Sequence, residues 1–273
     1  METAEKQIMR IAACFFLAFL LGCGEWESGT VGRVSCDLRN FNGFSTPIKM
    51  FVDRDNLYLL DNSSKVHLYK RDDLYECSFD FKDTYYFTGF PNDVFSSYVQ
   101  DKARLKSFND ATVCDARDGV FAISGNELAI GSNMGIETWN IGSCIRTGNV
   151  SSQKVLALAA TGSEYFAAEG ISTEPRNLTR YAKSGFSYSD PMSATSGNEK
   201  HFCAADRVIA NNYGVFLLDK TCGKIGVYDN QAVWRKTLRL DSLGIRGALD
   251  IAPGEYSHIF ILHSSGVENV NVF

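Results

Sequence analysis

Six stretches of this chain repeat one pattern: a polar turn, then a run of apolar or β-branched residues. Five are strong: Asn56-Leu57-Tyr58-Leu59-Leu60-Asp61, Glu127-Leu128-Ala129-Ile130, Glu164-Tyr165-Phe166-Ala167-Ala168, Gly214-Val215-Phe216-Leu217-Leu218-Asp219 and His258-Ile259-Phe260-Ile261-Leu262. The sixth, Val94-Phe95-Ser96-Ser97-Tyr98-Val99, is more polar. Short runs of this kind, bounded by turn residues, predict strands. They begin at 56, 94, 127, 164, 214 and 258, so the intervals are 38, 33, 37, 50 and 44 and average about 40. A period of this length, with several strands per unit, predicts an all-β β-propeller.

Each unit divides into four strands. In the first, residues 48–52 are innermost, 56–61 second, 66–70 third and 75–81 outermost, separated by Asp53-Arg54-Asp55, Asn62-Ser63-Ser64 and Asp72-Asp73. The third strand recurs at 136–140, 178–182 and 225–228. Cys36, Cys77, Cys114 and Cys144, spaced by 41, 37 and 30, fall at the outermost position and mark the same phase. The last unit has three strands (248–251, 258–262 and 267–272), and residues 30–37 are a spare one. Pairing the spare strand with the last unit would close the ring and remove an open sheet edge. The expectation is six blades. The rival is five blades with a helical insertion over 92–108, capped by Asn92 or Asp93, with Val94, Tyr98, Leu105 and Phe108 on one face. Asp55-Asn56-Leu57-Tyr58-Leu59-Leu60-Asp61 resembles the recurrent D-G-N-L-Y-V-x-D segment of six-bladed TolB-like and NHL-like propellers, without its Gly. The resemblance implies the fold and carries over no functional residue.

The N-terminus has a different pattern. Residues 11–21 are an unbroken apolar run, too short to span a bilayer as a helix and laid out like a secretory signal. A start at Met9 would put Arg10 directly before it. The run ends in Leu20-Leu21-Gly22-Cys23, which resembles the lipobox of bacterial lipoproteins. That resemblance implies cleavage before Cys23 and acylation of its thiol. Residue 24 is Gly rather than Asp, which by the same resemblance implies the outer membrane. The expected organisation is a signal at 1–22, a lipidated tether at 23–29 and one propeller at 30–273.

Composition narrows the function classes. The chain has 273 residues, 19 Phe, 12 Tyr and 3 Trp, enough for a sizeable sheet-rich core. A net charge of −5 with no basic stripe gives no electrostatic support for nucleic-acid binding. Apart from Cys14 and Cys23, six cysteines remain, an even number in an oxidising compartment. Cys203 and Cys222 belong to one unit and are the pair expected to bond; outer strands of neighbouring blades usually diverge, so the other four are left unassigned. There is no C-x-x-C, P-loop, G-x-G-x-x-G after a strand or G-x-S-x-G elbow, and no metal or cofactor is expected.

The remaining candidates have bland readings beside functional ones. His67, His201, His258 and His263 are expected at the surface or rim, and the offset of five between the last two sends them to opposite faces of one strand. His263-Ser264-Ser265 puts a histidine beside serines, which rarely meet as base and nucleophile at a strand end. Asp53-Arg54-Asp55 and Asp72-Asp73 lack the ligand spacing of an EF-hand and are expected to cap turns. The sequons at Asn62, Asn149 and Asn177 are chance matches in turns if the lipobox reading holds. Tyr85-Tyr86-Phe87 and Phe186-Ser187-Tyr188 are core strands or a binding surface for glycan or protein. The expected function is a membrane-tethered module binding an envelope protein or glycan, with no catalytic residue assigned. The alternative is a hydrolase or lyase, for which several of Asp53, Asp118, Glu164, Asp206 and Asp250 would converge at the central channel.

Overall fold

The computed structural model describes residues 31–39, 46–71, 77–151 and 153–272, and among them every regular element is a strand. Two short strands come first, β1 (Arg33–Ser35) and β2 (Asp37–Arg39). Blade 1 is β3 (Pro47–Val52), β4 (Asn56–Asp61), β5 (Lys65–Arg71) and β6 (Ser78–Tyr86). Blade 2 is β7 (Asp93–Phe95), β8 (Tyr98–Asp101), β9 (Arg104–Ser107) and β10 (Thr112–Asp115). Blade 3 is β11 (Val120–Ser124), β12 (Glu127–Ser132), β13 (Gly135–Asn140) and β14 (Ile145–Ser151). Blade 4 is β15 (Val155–Ala160), β16 (Glu164–Ile171), β17 (Glu174–Ala182) and β18 (Ser187–Pro191). Blade 5 is β19 (Arg207–Ala210), β20 (Gly214–Asp219), β21 (Lys224–Asp229) and β22 (Trp234–Arg239). Blade 6 is β23 (Ala248–Pro253), β24 (His258–His263) and β25 (Gly266–Asn271), completed by β1. Each blade is an antiparallel meander, and the fold is a six-bladed β-propeller.

The repeated apolar runs are the second strands, and packing explains why they do not alternate. Both faces of a blade are covered by neighbouring blades, so consecutive side chains are buried whichever way they point. Leu57, Leu59 and Leu60 in β4, Val215–Leu218 in β20 and Ile259–Leu262 in β24 are all at most 1% exposed. The core is a set of layers between adjacent blades. Met50, Leu59 and Phe79 of blade 1 meet Phe260 and Leu262 of blade 6, and Phe166 and Leu178 of blade 4 meet Val208 and Leu217 of blade 5. Some of these approaches leave no room for a side chain: a Cβ at Gly131 would lie 2.4 Å from Val155 Cγ1 in the next blade.

The ring closes where the two ends of the chain meet. β1 runs antiparallel to β25, with Arg33, Val34 and Ser35 opposite Val270, Asn269 and Glu268. The chain then leaves blade 6 for blade 1. Cys36 N–H donates to Val267 O at 2.8 Å, and Asp37 N–H donates to Cys77 O at 2.7 Å. β2 adds a parallel fifth strand beside β6. Cys36 and Cys77 are disulfide-bonded across this step, with Cα atoms 4.5 Å apart. Arg33 holds the closing strand to blade 6, pairing with Glu268 at 2.8 Å and donating to Leu243 O, in the connection from blade 5, at 2.6 Å.

Several expectations need correction. The helix over 92–108 is absent, because Ser96 and Ser97 turn the chain between β7 and β8, so residues 94–99 span two strands rather than one. The closing strand expected over 30–37 is observed as β1 and then, beyond Cys36, β2 in the neighbouring blade. The outer strand expected at 75–81 is described from Ser78 and continues to Tyr86. The outer-strand cysteines of neighbouring blades do meet: Cys36 bonds Cys77, and Cys114 bonds Cys144 with Cα atoms 5.1 Å apart. His67 is buried, not at the rim. Its Nε2 lies 2.9 Å from Asp61 Oδ2 and its Nδ1 lies 3.1 Å from Thr84 Oγ1.

Two outcomes follow for the seam. Replacing Cys36 and Cys77 together by Ser opens a loop of 41 residues, which in the chain-entropy account costs about 3–4 kcal/mol. A domain of this size should then melt about 6–16 °C lower in calorimetry without reductant; an unchanged Tm would show that strand pairing alone holds the seam. Arg33 donates to Glu268 and holds its carboxyl below the usual 4.5, against burial that raises it. A depressed folded value contributes stability that is complete above about pH 4.5 and is lost as the pH falls through the folded value. Urea unfolding across this range should show that loss in the wild type, and Glu268→Gln should remove this part of the slope.

Candidate functional site

The first strand of each blade lines the axis. All six begin at one face of the disc, here the upper face, and end at the lower face. Midway the channel is narrow and apolar, a space of about 80 Å³ among Met50, Phe95, Phe121, Leu158 and Ile209. Nearer the upper face it is crossed by charge. Arg207 at the start of β19 reaches Asp93 at the start of β7, in the blade directly opposite, and makes an ion pair with it. Arg207 Nε also lies 3.7 Å from Asp250 Oδ1, and Lys49 Nζ lies 3.8 Å from that same atom. Asp250 is fully buried, and its Oδ2 accepts Met50 N–H at 2.9 Å. Burial alone would lower the Arg207 pKa; Asp93 and Asp250 more than offset this and raise it. Two cations and two carboxylates from blades 1, 2, 5 and 6 thus neutralise one another across the axis. A polar space of about 200 Å³ adjoins them, lined also by Asp206 and Gln100.

The five carboxylates considered for channel chemistry do not converge. Asp53 sits in the lower-face turn after β3 and is used up by it, accepting from the N–H groups of Asp55 and Asn56 and from Tyr58 OH. Glu164 pairs with Arg180, whose Nε lies at 2.7 Å. Asp206, at the upper face, accepts Lys220 N–H at 2.8 Å. Asp118 lines a separate upper-face cleft beside Met134. Asp250 belongs to the neutral cluster at the axis, and Asp206 lines the polar space beside it. Cys203 and Cys222 are bonded with Cα atoms 5.9 Å apart, and Asp219 accepts both their N–H groups at 2.7 and 2.9 Å. Cys23 lies outside the described residues.

The other candidates divide between core and surface. His258 Nδ1 lies 2.9 Å from Asn269 Oδ1, and His201 Nδ1 lies 3.0 Å from Ser193 O. His263 does meet a serine, contrary to expectation: Nδ1 lies 2.9 Å from Ser265 Oγ and Nε2 lies 3.3 Å from Glu268 Oε1. The same Glu268 oxygen takes Arg33 and Ser35, which makes this relay part of the ring seam. Phe87 is buried and Tyr85 packs on Phe108 at 4.5 Å, while Tyr86, Phe186 and Tyr188 are exposed.

An open cleft of about 590 Å³ lies on the lower face over blade 6. Its walls are the turns after the first strands of blades 1, 5 and 6, with Asp53, Arg54, Asn211, Asn212 and Glu255 among its residues. Tyr213 and Tyr256 stand at its mouth, 48% and 66% exposed, with ring centroids 5.7 Å apart and planes at 59°. Asn211 Nδ2 donates to Gly254 O and Tyr256 O, both at 3.2 Å, and joins the blade 5 turn to the blade 6 turn. Arg71 spans from blade 1 to Glu255 at 3.2 Å and lies over the Phe260 ring. The sequence reading passed over Tyr213 and Tyr256. The available signal was phase: each lies just before a repeat run, those starting at 214 and 258.

No family model matches the chain, and no curated protein matches it in sequence. Solved structures are similar in fold. The crystal structure of BamB from Moraxella catarrhalis superposes with a TM-score of 0.50 at 11% identity, over 88% of this chain and 88% of that one. PorZ, described as an essential bacterial surface component of the type-IX secretion system of Porphyromonas gingivalis, gives 0.48 at 8% identity over 86% of this chain and 37% of its own. The computationally designed Ika8 protein gives 0.48 at 8% identity over 89% and 100%. At such identities the likeness is one of fold alone.

The axial cluster makes a direct prediction. Arg207→Ala leaves Asp93 and Asp250 buried without their principal cation, so it should cost about 3–5 kcal/mol in denaturant unfolding. A loss under about 1 kcal/mol would mean that water already screens the cluster.

Proposed function

We propose that this chain is a binding module of the bacterial cell envelope, exported by the signal at 1–22, lipidated at Cys23 and held at the outer membrane by the tether at 23–29. The propeller would present its lower face to a partner protein or glycan. One observation carries the binding reading. The axis is narrowed by apolar side chains and crossed by a mutually paired ion cluster, while a cleft with exposed aromatic side chains opens on the lower-face loops. Rigid loops on a propeller disc are suited to recognition, because the scaffold supplies the order that a flexible loop would lose entropy to reach. The Cys203–Cys222 bond, with Asp219 holding both cysteine N–H groups, is assigned a structural role on the upper face of blade 5. Support for the anchor comes from the Leu20-Leu21-Gly22-Cys23 motif, and two or three acyl chains would give stable attachment where one would not.

Each half of this reading has its own test. Cys23→Ser should move the protein from the membrane pellet to the soluble fraction; continued sedimentation would overturn the anchor. Envelope extract passed over immobilised wild-type protein should yield a component that is lost with the Tyr213→Ala, Tyr256→Ala double variant. Recovery of the same material on both columns, or of none, would count against the lower face as the binding surface.

A further inference from the structure

We infer that the lower-face cleft is a glycan site, in which the Tyr213–Tyr256 pair stacks on sugar rings and the surrounding turns supply hydrogen bonds. This deepens the binding-module reading and rests on it. The cleft, at about 590 Å³, falls within the range of small-ligand sites, roughly 300–1,000 Å³, and has room for a short oligosaccharide.

Three features select this ligand class. The first is charge. The charged lining residues, Asp53, Arg54, Arg71 and Glu255, sum to zero. Asp53 is occupied by its own turn, and Glu255 faces Arg71. A cleft of this kind has little net field to offer an ion and favours a neutral polar molecule. The second is shape. Two half-exposed tyrosine rings set at 59° form an open, angled platform rather than a deep socket. Sugar rings present flat C–H faces to such surfaces and keep their hydroxyls for the rim, and tyrosine combines an apolar face with a polar tip. A peptide anchored by one apolar side chain would need an enclosed pocket, and a peptide added as a strand would need a sheet edge. The cleft is open rather than enclosed, and of the innermost strands only the last residues of β3, β19 and β23 reach it, too little edge to pair with a strand.

The third feature is preorganisation. Tyr256 adopts φ 52°, a left-handed conformation that bulky residues rarely take. It stays there because Asn211 holds the carbonyls on both sides of Glu255, at Gly254 and Tyr256. Strained backbone kept in place by neighbouring groups is concentrated at ligand sites. Here it sets an aromatic ring two-thirds exposed to solvent, beside that of Tyr213.

The test uses the full-length protein in detergent, titrated by calorimetry and by saturation-transfer NMR with neutral trisaccharides of glucose and of N-acetylglucosamine, an acidic uronic-acid trisaccharide and a proline-rich peptide. At least one neutral trisaccharide should bind saturably and more tightly than the acidic one. Tyr213→Ala and Tyr256→Ala should each weaken it about tenfold, equivalent to about 1.4 kcal/mol, and Tyr256→Phe should keep most of the affinity. Tyr86→Ala, an exposed tyrosine outside the cleft, is the control for general surface effects. Saccharide binding that survives both tyrosine variants overturns the site, as does failure of every neutral trisaccharide. If the peptide binds instead, and loses affinity with the two variants, the glycan class is overturned and the lower-face binding reading stands. If nothing in the panel binds while the envelope component is still lost with the double variant, the glycan class is likewise overturned.

Discussion

Everything in this molecule depends on the junction between blade 6 and blade 1. A ring of sheets has no covalent reason to stay shut, and an unpaired β25 would expose a row of backbone donors and acceptors. Three different interactions act on the same seven residues, Arg33 to Arg39. β1 supplies the missing strand of blade 6, β2 continues without a break as an extra strand of blade 1, and the Cys36–Cys77 bond sits at the step between them. The chain therefore does not merely dock on blade 6; it is shared by both blades. The Arg33–Glu268 pair adds a charge-assisted hydrogen bond at the same place.

Away from the seam, order within the blades comes from a recurring buried polar contact. At or near the end of the second strand stand Asp61, Asp101, Glu169, Asp219 and His263. Four of them meet a residue on the third strand: Asp61 with His67 at 2.9 Å, Asp101 with Lys106 at 3.4 Å, Glu169 with Thr179 at 2.6 Å and His263 with Glu268 at 3.3 Å. In blade 5 the place of the partner is taken by the amides of Cys203 and Cys222. Interiors made only of aliphatic strands are permissive about register, because any apolar side chain fits beside any other. A polar atom that must find its partner is not. The same logic operates across the axis, where Arg207, Asp93, Asp250 and Lys49 are drawn from four blades and neutralise one another only when the ring is complete.

Filling the axis has a functional consequence. A propeller can place its chemistry in the channel or on its loop faces, and here the channel is occupied by its own side chains. The lower face carries what remains: an open cleft, two exposed tyrosines and turns braced by Asn211 and Arg71. The upper face differs, with long connections and the Cys203–Cys222 bond. The two faces of the disc are chemically distinct although the blades are built alike.

What could be read from the chain alone was whatever the backbone repeats. Apolar runs at a period of about 40, turn residues between them and a spare strand at the start are local patterns, and they pointed to the propeller, to six blades over five and to the source of the closing strand. They succeeded because a doubly covered strand must be apolar on both faces, a requirement written residue by residue. Where the pattern was diluted the reading slipped: Ser96-Ser97 is a turn that a helix periodicity also tolerates, and His67 looks like any strand histidine until Asp61 is seen beside it. Tertiary structure alone decided the rest. Arg207 and Asp93 are 114 positions apart, and although the two tyrosines of the cleft share a repeat phase, only the ring brings their side chains together. Cys36 meets Cys77, and Cys114 meets Cys144, only because outer strands of adjacent blades are brought together by a crossing chain end and by a turn. Such contacts arise from closure of the ring, which is a property of all six blades at once and of no segment by itself.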